Sequence, residues 1–274
     1  MSLRSTRVDH HGTPCTLLHG EGGASALVAL HGAHVLSWIS ADGRERLFLG
    51  QRACYDEGAA IRGGVPVIFP QFAGRGPLRK HGFARTLPWR FVGADERAVF
   101  ELDSGPATAS WPHAFTVRLY IRLDATTLDL ELEVDNNGSS GFAFTAALHT
   151  YLAVDALDTT TLHGLRDCRY EDSANGGAIL RQEDELLRFD GEVDRIYSSP
   201  SRSIELRDGP RRTTIGQRGF ADTVVWNPGS ALAASIGDLA PDEYRRFVCV
   251  EAGQVLQPVQ LVPGGRWSGA QHLR

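Results

Sequence analysis

The chain has 274 residues, 42% of them hydrophobic and 22% charged, and a net charge of −5. That is ordinary globular usage in a chain long enough to bury a sizeable core. The acidic balance, with no Lys/Arg run and no basic half, argues against nucleic acid, and no stretch approaches the roughly 20 apolar residues of a membrane-spanning helix.

In chain order, short strand-like runs dominate. The opening segment MSLRSTRVDHHG has no apolar leader core. Leu27–Ile39 and Ala98–Leu102 read as strands. From Phe115 the period is two: Phe115, Val117, Leu119, Ile121 and Leu123 alternate with Thr116, Arg118, Tyr120, Arg122 and Asp124. Leu128, Leu130, Leu132 and Val134 then alternate with Asp129, Glu131, Glu133 and Asp135. Each run predicts a strand with one buried and one wet face, joined by a hairpin at Asp124–Thr127. Asn136-Asn137-Gly138 then marks a turn. Ala143–Val154, Ser203–Leu206, Thr223–Trp226 and Phe247–Glu251 complete the set. Helical periodicity is scarce; the best segment is Pro241–Arg246, with Asp238 as its cap. The 30 glycines point to many turns. The pattern predicts an all-β sandwich. Without a linker or composition break, residues 1–274 read as one domain, with Gly63-Gly64 and Gly74–Gly76 as loops inside it.

Cys15, Cys54, Cys168 and Cys249 form no CxxC pair, so no zinc site is expected and the chain reads as a soluble protein of a reducing compartment, the cytoplasm. His10-His11 and His31/His34 complete no ligand set, so no metal is expected either. No GxxxxGK[ST], GxSxG or HExxH motif occurs.

Three segments can carry chemistry. In the first, Gly63-Gly64 permits positive φ or a close backbone approach. Pro66 and Pro70 stiffen the chain around a short apolar run, and Arg62, Arg79, Lys80, His81 and Arg85 cluster near it. Arginine forks suit phosphate or carboxylate, although a turn-rich loop with solvated charges fits the same residues. In the second, His149 sits in the apolar run AFTAALHTYLAV, sharing a face with Ala147 and Tyr151 on strict alternation. It is a core histidine or a tuned proton donor. In the third, Glu251 closes the apolar run FVCV. It is a strand end meeting solvent or a carboxylate of environment-tuned basicity.

Together these residues resemble a known family. IRGGVPVIFPQF, HGFAR, LHTYLAV, VDRIY and RRFVCVEAG, with Gly32-Ala33-His34-Val35, Trp111-Pro112-His113-Ala114-Phe115 and Val225-Trp226-Asn227-Pro228, are similar to the hexose-6-phosphate mutarotases of the aldose 1-epimerase superfamily. The matches keep the family's order over most of the chain. The resemblance implies a large antiparallel β-sandwich of the galactose-mutarotase type with a cleft on a concave face. It implies His149 as general acid and Glu251 as general base, with no metal or cofactor. It places His81 near the reacting centre, Arg62 and Arg85 at substrate and phosphate, and Asp194 on sugar hydroxyls. Lys80 adds phosphate charge or faces solvent, and Gln71 is a further polar group able to orient a sugar. The implied partner is a small sugar or sugar phosphate. A free-aldose 1-epimerase and a non-catalytic carbohydrate-binding or sensing module are the alternatives.

Overall fold

The computed structural model describes residues 3–198 and 203–274. The described residues form three antiparallel sheets. The first is a four-stranded meander of Arg4–His10, Thr13–His19, Ser25–Ala29 and His34–Ile39. The second runs Ala178–Arg181, Arg169–Asp172, Val193–Ser198, Asp222–Asn227, Phe247–Leu261, Phe142–Leu148 and Val67–Ile68, with Tyr151–Ala153 also paired to Phe247–Leu261. The third has nine strands and includes the predicted pair, Phe115–Leu123 and Leu128–Asn136.

Alternation explains the layering. Phe115, Val117, Leu119, Ile121, Leu128, Leu130, Leu132 and Val134 are all buried and join one core cluster with Val248, Val250 and Ala252 of the second sheet. Leu18, Val28 and Trp38 of the first sheet join the same cluster. On the outer face of the nine-stranded sheet, Arg118 pairs with Glu101, Glu133 and Asp135 on the flanking strands, the cross-strand arrangement that stabilises a wet face. The hairpin forms as expected: Asp124 Oδ1 accepts the Thr126 and Thr127 backbone N–H groups at 3.0 and 2.9 Å.

Four expectations need correction. Leu27–Ile39 is two strands, because Gly32 and Ala33 turn with φ of 75° and 46°. Ala143–Val154 is broken at His149-Thr150. There His149 N–H donates to the Pro66 carbonyl and Thr150 Oγ1 donates to Gln271 Oε1 at 2.5 Å. The strand from Phe247 does not stop at Glu251 but runs to Leu261. The helix at Pro241–Arg246 is a 3₁₀ turn over Glu243–Arg246, and the residue before it is Asp242 with positive φ, so Asp238 caps nothing. Among the described residues no helix is long and apolar enough to cross a membrane.

Candidate active site

The second sheet carries the site on the face turned away from the main core. Its register sets Ile196, Val224 and Glu251 side by side on three neighbouring strands, with Asp194 beside Trp226 two residues along. Ile196 and Val224 form a second apolar cluster with Ile68, Phe72 and Ala147. Glu251 thus stands on the floor of the cleft, in mid-strand and 1% exposed, not at a strand end.

The strand break delivers the histidine. Once the chain leaves the ladder after Leu148, the His149 ring stacks on Tyr151 at 4.8 Å and meets the edge of Trp226 at 5.9 Å. Its Nδ1 lies 3.2 Å from Glu251 Oε1. The approach is off the line of a hydrogen bond, and both His149 Nδ1 and Glu251 Oε2 are buried without a hydrogen-bond partner. Burial, then His81, Arg85 and Arg62, hold the His149 imidazole well below its ordinary value. Burial, then Asp194, push the Glu251 carboxyl well above its own, against the pull of Arg85. Both shifts favour the uncharged pair.

Residues on either side of the short strand Val67–Ile68, from Arg62 to Arg85, line the cavity above this floor. Gly63 and Gly64 have positive φ, and a Cβ on Gly64 would lie 2.2 Å from the Val35 carbonyl oxygen, so both readings of the glycine pair hold. Ala73 N–H donates to His81 Nδ1 at 3.3 Å, while His81 N–H donates to the Ala73 carbonyl. A backbone N–H can only donate, so Nδ1 is an acceptor and the neutral ring carries its proton on Nε2. Burial, Arg85, Lys80 and Arg62 lower His81 to about 2. Its φ of 68° is a rare conformation for a residue with a Cβ.

Arg62, Lys80, His81, Arg85, His149, Asp194 and Glu251 all line one cavity of about 330 Å³. The cations differ in their commitments. Arg62 pairs with Asp238 at 3.0 Å and donates to the Tyr151 hydroxyl at 3.0 Å. Burial opposes its charge, but Tyr151 and Asp238 outweigh that and raise its pKa. Arg85 has no carboxylate partner among the described residues. Its Nη2 donates to the Lys80 carbonyl, and its Nε is buried with no partner at all. Burial, with Arg62 and Arg79 nearby, brings Arg85 down to about 10, which still leaves it charged at neutral pH. Asp194 is raised by burial first and then Glu192, with Lys80 opposing.

Gln71 does not join this group. Its amide donates to the Ala73 and Leu78 carbonyls and accepts the Leu78 N–H, so it braces the loop from within. Sequence reasoning missed Arg75, which lines the cavity and pairs with Glu171. It also missed Asp238, set aside as a helix cap. Leu232 and Ile236 add an apolar wall that no motif announced. Among the described residues no group of three or more His, Cys, Asp or Glu is placed to hold a metal. His34 is fully buried instead, with Nε2 2.7 Å from the Gly63 carbonyl.

That burial gives a stability prediction. Desolvation lowers His34 to about 3 in the folded chain, against about 6.5 unfolded. Below pH 6.5 the unfolded state binds a proton that the native state refuses, so this part of the stability is lost as pH falls. Between pH 7 and 5 it amounts to about 2 kcal/mol. Urea unfolding of wild type and His34→Gln at both pH values should show wild type losing about that much more. Equal losses would mean that His34 is not a buried neutral group.

The aldose 1-epimerase family profile matches residues 14–274. An Escherichia coli (strain K12) protein named as a candidate glucose-6-phosphate 1-epimerase is 38% identical over 236 residues, 82% of this chain and 78% of that protein. A crystal structure titled as a candidate mutarotase from Salmonella typhimurium superposes with a TM-score of 0.90 at 32% identity, covering 98% of this chain and 92% of that one. A galactose mutarotase related enzyme from Lactobacillus acidophilus shares the fold, with a TM-score of 0.73 at 15% identity, over 98% of this chain and 96% of that one. With this match over nearly its whole length, the chain belongs to the aldose 1-epimerase family and is an isomerase that interconverts sugar anomers.

Proposed function

We propose that the sugar is a hexose 6-phosphate, with His149 and Glu251 as the acid–base pair and Arg85 as the principal phosphate contact. The observation that carries the reading is Arg85. It is a guanidinium without a carboxylate partner, its Nε orphaned, lining the same cavity as the His149–Glu251 pair. A half-buried cation with an unpartnered buried Nε is costly unless an anion completes it, and a planar fork suits a phosphate. Lys80 adds charge at the mouth. Relatives named for glucose 6-phosphate agree with this substrate.

Ring opening needs a proton taken from the C1 hydroxyl and one given to the ring oxygen. With Glu251 ionised and His149 protonated, the carboxylate takes the first and the imidazolium gives the second. The pair then stands as a neutral carboxylic acid and a neutral imidazole. The aldehyde rotates about C1–C2, and the reverse transfers close the ring on its other face. No proton is gained or lost over the cycle. The charged pair that starts the step and the neutral pair that burial favours differ only by one proton moved from Glu251 to His149, and reclosure regenerates the charged pair. His81, through its Nε2–H, and Asp194 hold sugar oxygens. The sheets share one core, which supports reading the chain as a single domain. A phosphorylated substrate, which does not cross bilayers unaided, supports a cytoplasmic location.

NMR magnetisation transfer tests this. Anomer exchange should be accelerated strongly with glucose 6-phosphate and weakly with glucose; equal acceleration would move the enzyme to free aldoses. Arg85→Ala should raise KM for glucose 6-phosphate about 10²-fold, the size of a lost charge-assisted contact, and change glucose turnover little. Equal losses on the two sugars would remove Arg85 from the phosphate.

A further inference from the structure

Arg62 reaches the cavity already engaged. Its Nε and Nη2 both donate to Asp238 Oδ1, at 3.2 and 3.0 Å, and its Nη1 donates to the Tyr151 hydroxyl. Asp238 stands 176 positions away in sequence, just past Leu232 and Ile236 of the cavity wall. Among the described residues Arg85 lacks such a carboxylate. Of the three arginines that line the site, Arg62 and Arg75 are each paired with a carboxylate and Arg85 is not.

We propose that Asp238 is a specificity-determining residue: it cancels part of the Arg62 charge while keeping the guanidinium fork oriented, and so sets how tightly the cavity holds the anionic end of its substrate. The inference rests on the reading of that substrate as a sugar phosphate. Its logic is kinetic. Substrate and product anomers carry the same phosphate, so binding to the phosphate is uniform across the reaction. Stronger uniform binding lowers KM without lowering the barrier and slows release of product. A cavity lined by Arg62, Arg75, Lys80 and Arg85 would hold a dianion too firmly if every charge were free. A carboxylate placed behind Arg62 reduces that hold and leaves the donors in position.

Two substitutions separate charge from orientation. Asp238→Asn keeps an oxygen that accepts from Nε and Nη2 but removes the charge. Asp238→Ala removes both. The readouts are the Kd of inorganic phosphate, KM and kcat for anomer exchange of glucose 6-phosphate and of glucose, and thermal unfolding as a check on folding. Asp238→Asn should bind inorganic phosphate roughly three- to tenfold more tightly. It should lower KM for glucose 6-phosphate by a similar factor with kcat equal or reduced, and leave KM for glucose within about twofold. Asp238→Ala should bind phosphate more weakly than Asp238→Asn. Unchanged or weaker phosphate binding in Asp238→Asn overturns the inference. The proposed substrate then still stands if wild type prefers the phosphate ester. If wild type neither binds phosphate nor prefers the ester, the substrate reading falls and this inference falls with it. Matching losses of stability and of both ligands in the two variants would make Asp238 only a pin for the segment around it.

Discussion

Glu251→Gln is expected to lower kcat for anomer exchange about 10³-fold, within the range that acid–base assistance supplies, while the protein folds normally. The amide has the shape of the carboxyl but cannot take the C1 proton. Its effect on stability comes from the burial of the carboxyl. Burial raises Glu251 above its ordinary value in the folded chain. Between the unfolded value of about 4.3 and that raised value, the native state holds a proton that the unfolded state has lost. Stability attributable to this group is therefore intact at low pH and falls as pH rises, by about 1.4 kcal/mol per unit within the window. Glutamine has no such dependence. Glu251→Gln should thus match or exceed wild type in thermal stability at pH 8 and lose that advantage toward pH 4. Near-wild-type exchange in this variant would reject Glu251 as the base. A variant less stable at pH 8 than at pH 4, relative to wild type, would reject the buried, proton-retaining carboxyl.

His149→Asn should cost kcat about as much, roughly 10²- to 10⁴-fold, with a different signature. The asparagine leaves the base in place but supplies no proton to the ring oxygen. KM for glucose 6-phosphate should stay within severalfold of wild type, because Arg85, Lys80 and Asp194 are untouched. The variant also loses a stacked ring on Tyr151, 4.8 Å away, worth about 1 kcal/mol beyond buried area. A modest fall in melting temperature should therefore accompany the kinetic loss. Combining His149→Asn with Glu251→Gln should cost little more than either alone, since both groups act in the same ring-opening step. Fully multiplicative losses would mean that the two side chains act in separate steps.

Much of this molecule was legible in its sequence for a definite reason. Period-two alternation is a consequence of the pleat, so Phe115–Leu123 and Leu128–Val134 announced both their strands and their buried faces. The same pleat places Phe247, Cys249 and Glu251 on one face and Val248 and Val250 on the other. The family motifs then singled out His149, Glu251, His81 and the arginines. Local pattern failed where the backbone departs from regular repeats. Leu27–Ile39 looked continuous because positive φ at Gly32 and Ala33 leaves no mark on hydrophobic periodicity. Ala143–Val154 looked continuous because the kink at His149-Thr150 is held from outside, by Pro66 and Gln271.

The sequence by itself determined the class of fold, the strands that form its core and the residue types able to move a proton or meet an anion. Tertiary structure alone decided how those residues are used. Strand register put Glu251 beside Val224, and the break after Leu148 brought His149 within 3.2 Å of it. Chain packing gave Arg62 a carboxylate 176 positions away and left Arg85 without one. It also turned Gln71 inward and moved Asp238 from helix cap to ion pair. The physical reason is range: periodicity and turn chemistry act over a few residues, whereas burial and charge pairing depend on groups that only folding makes neighbours.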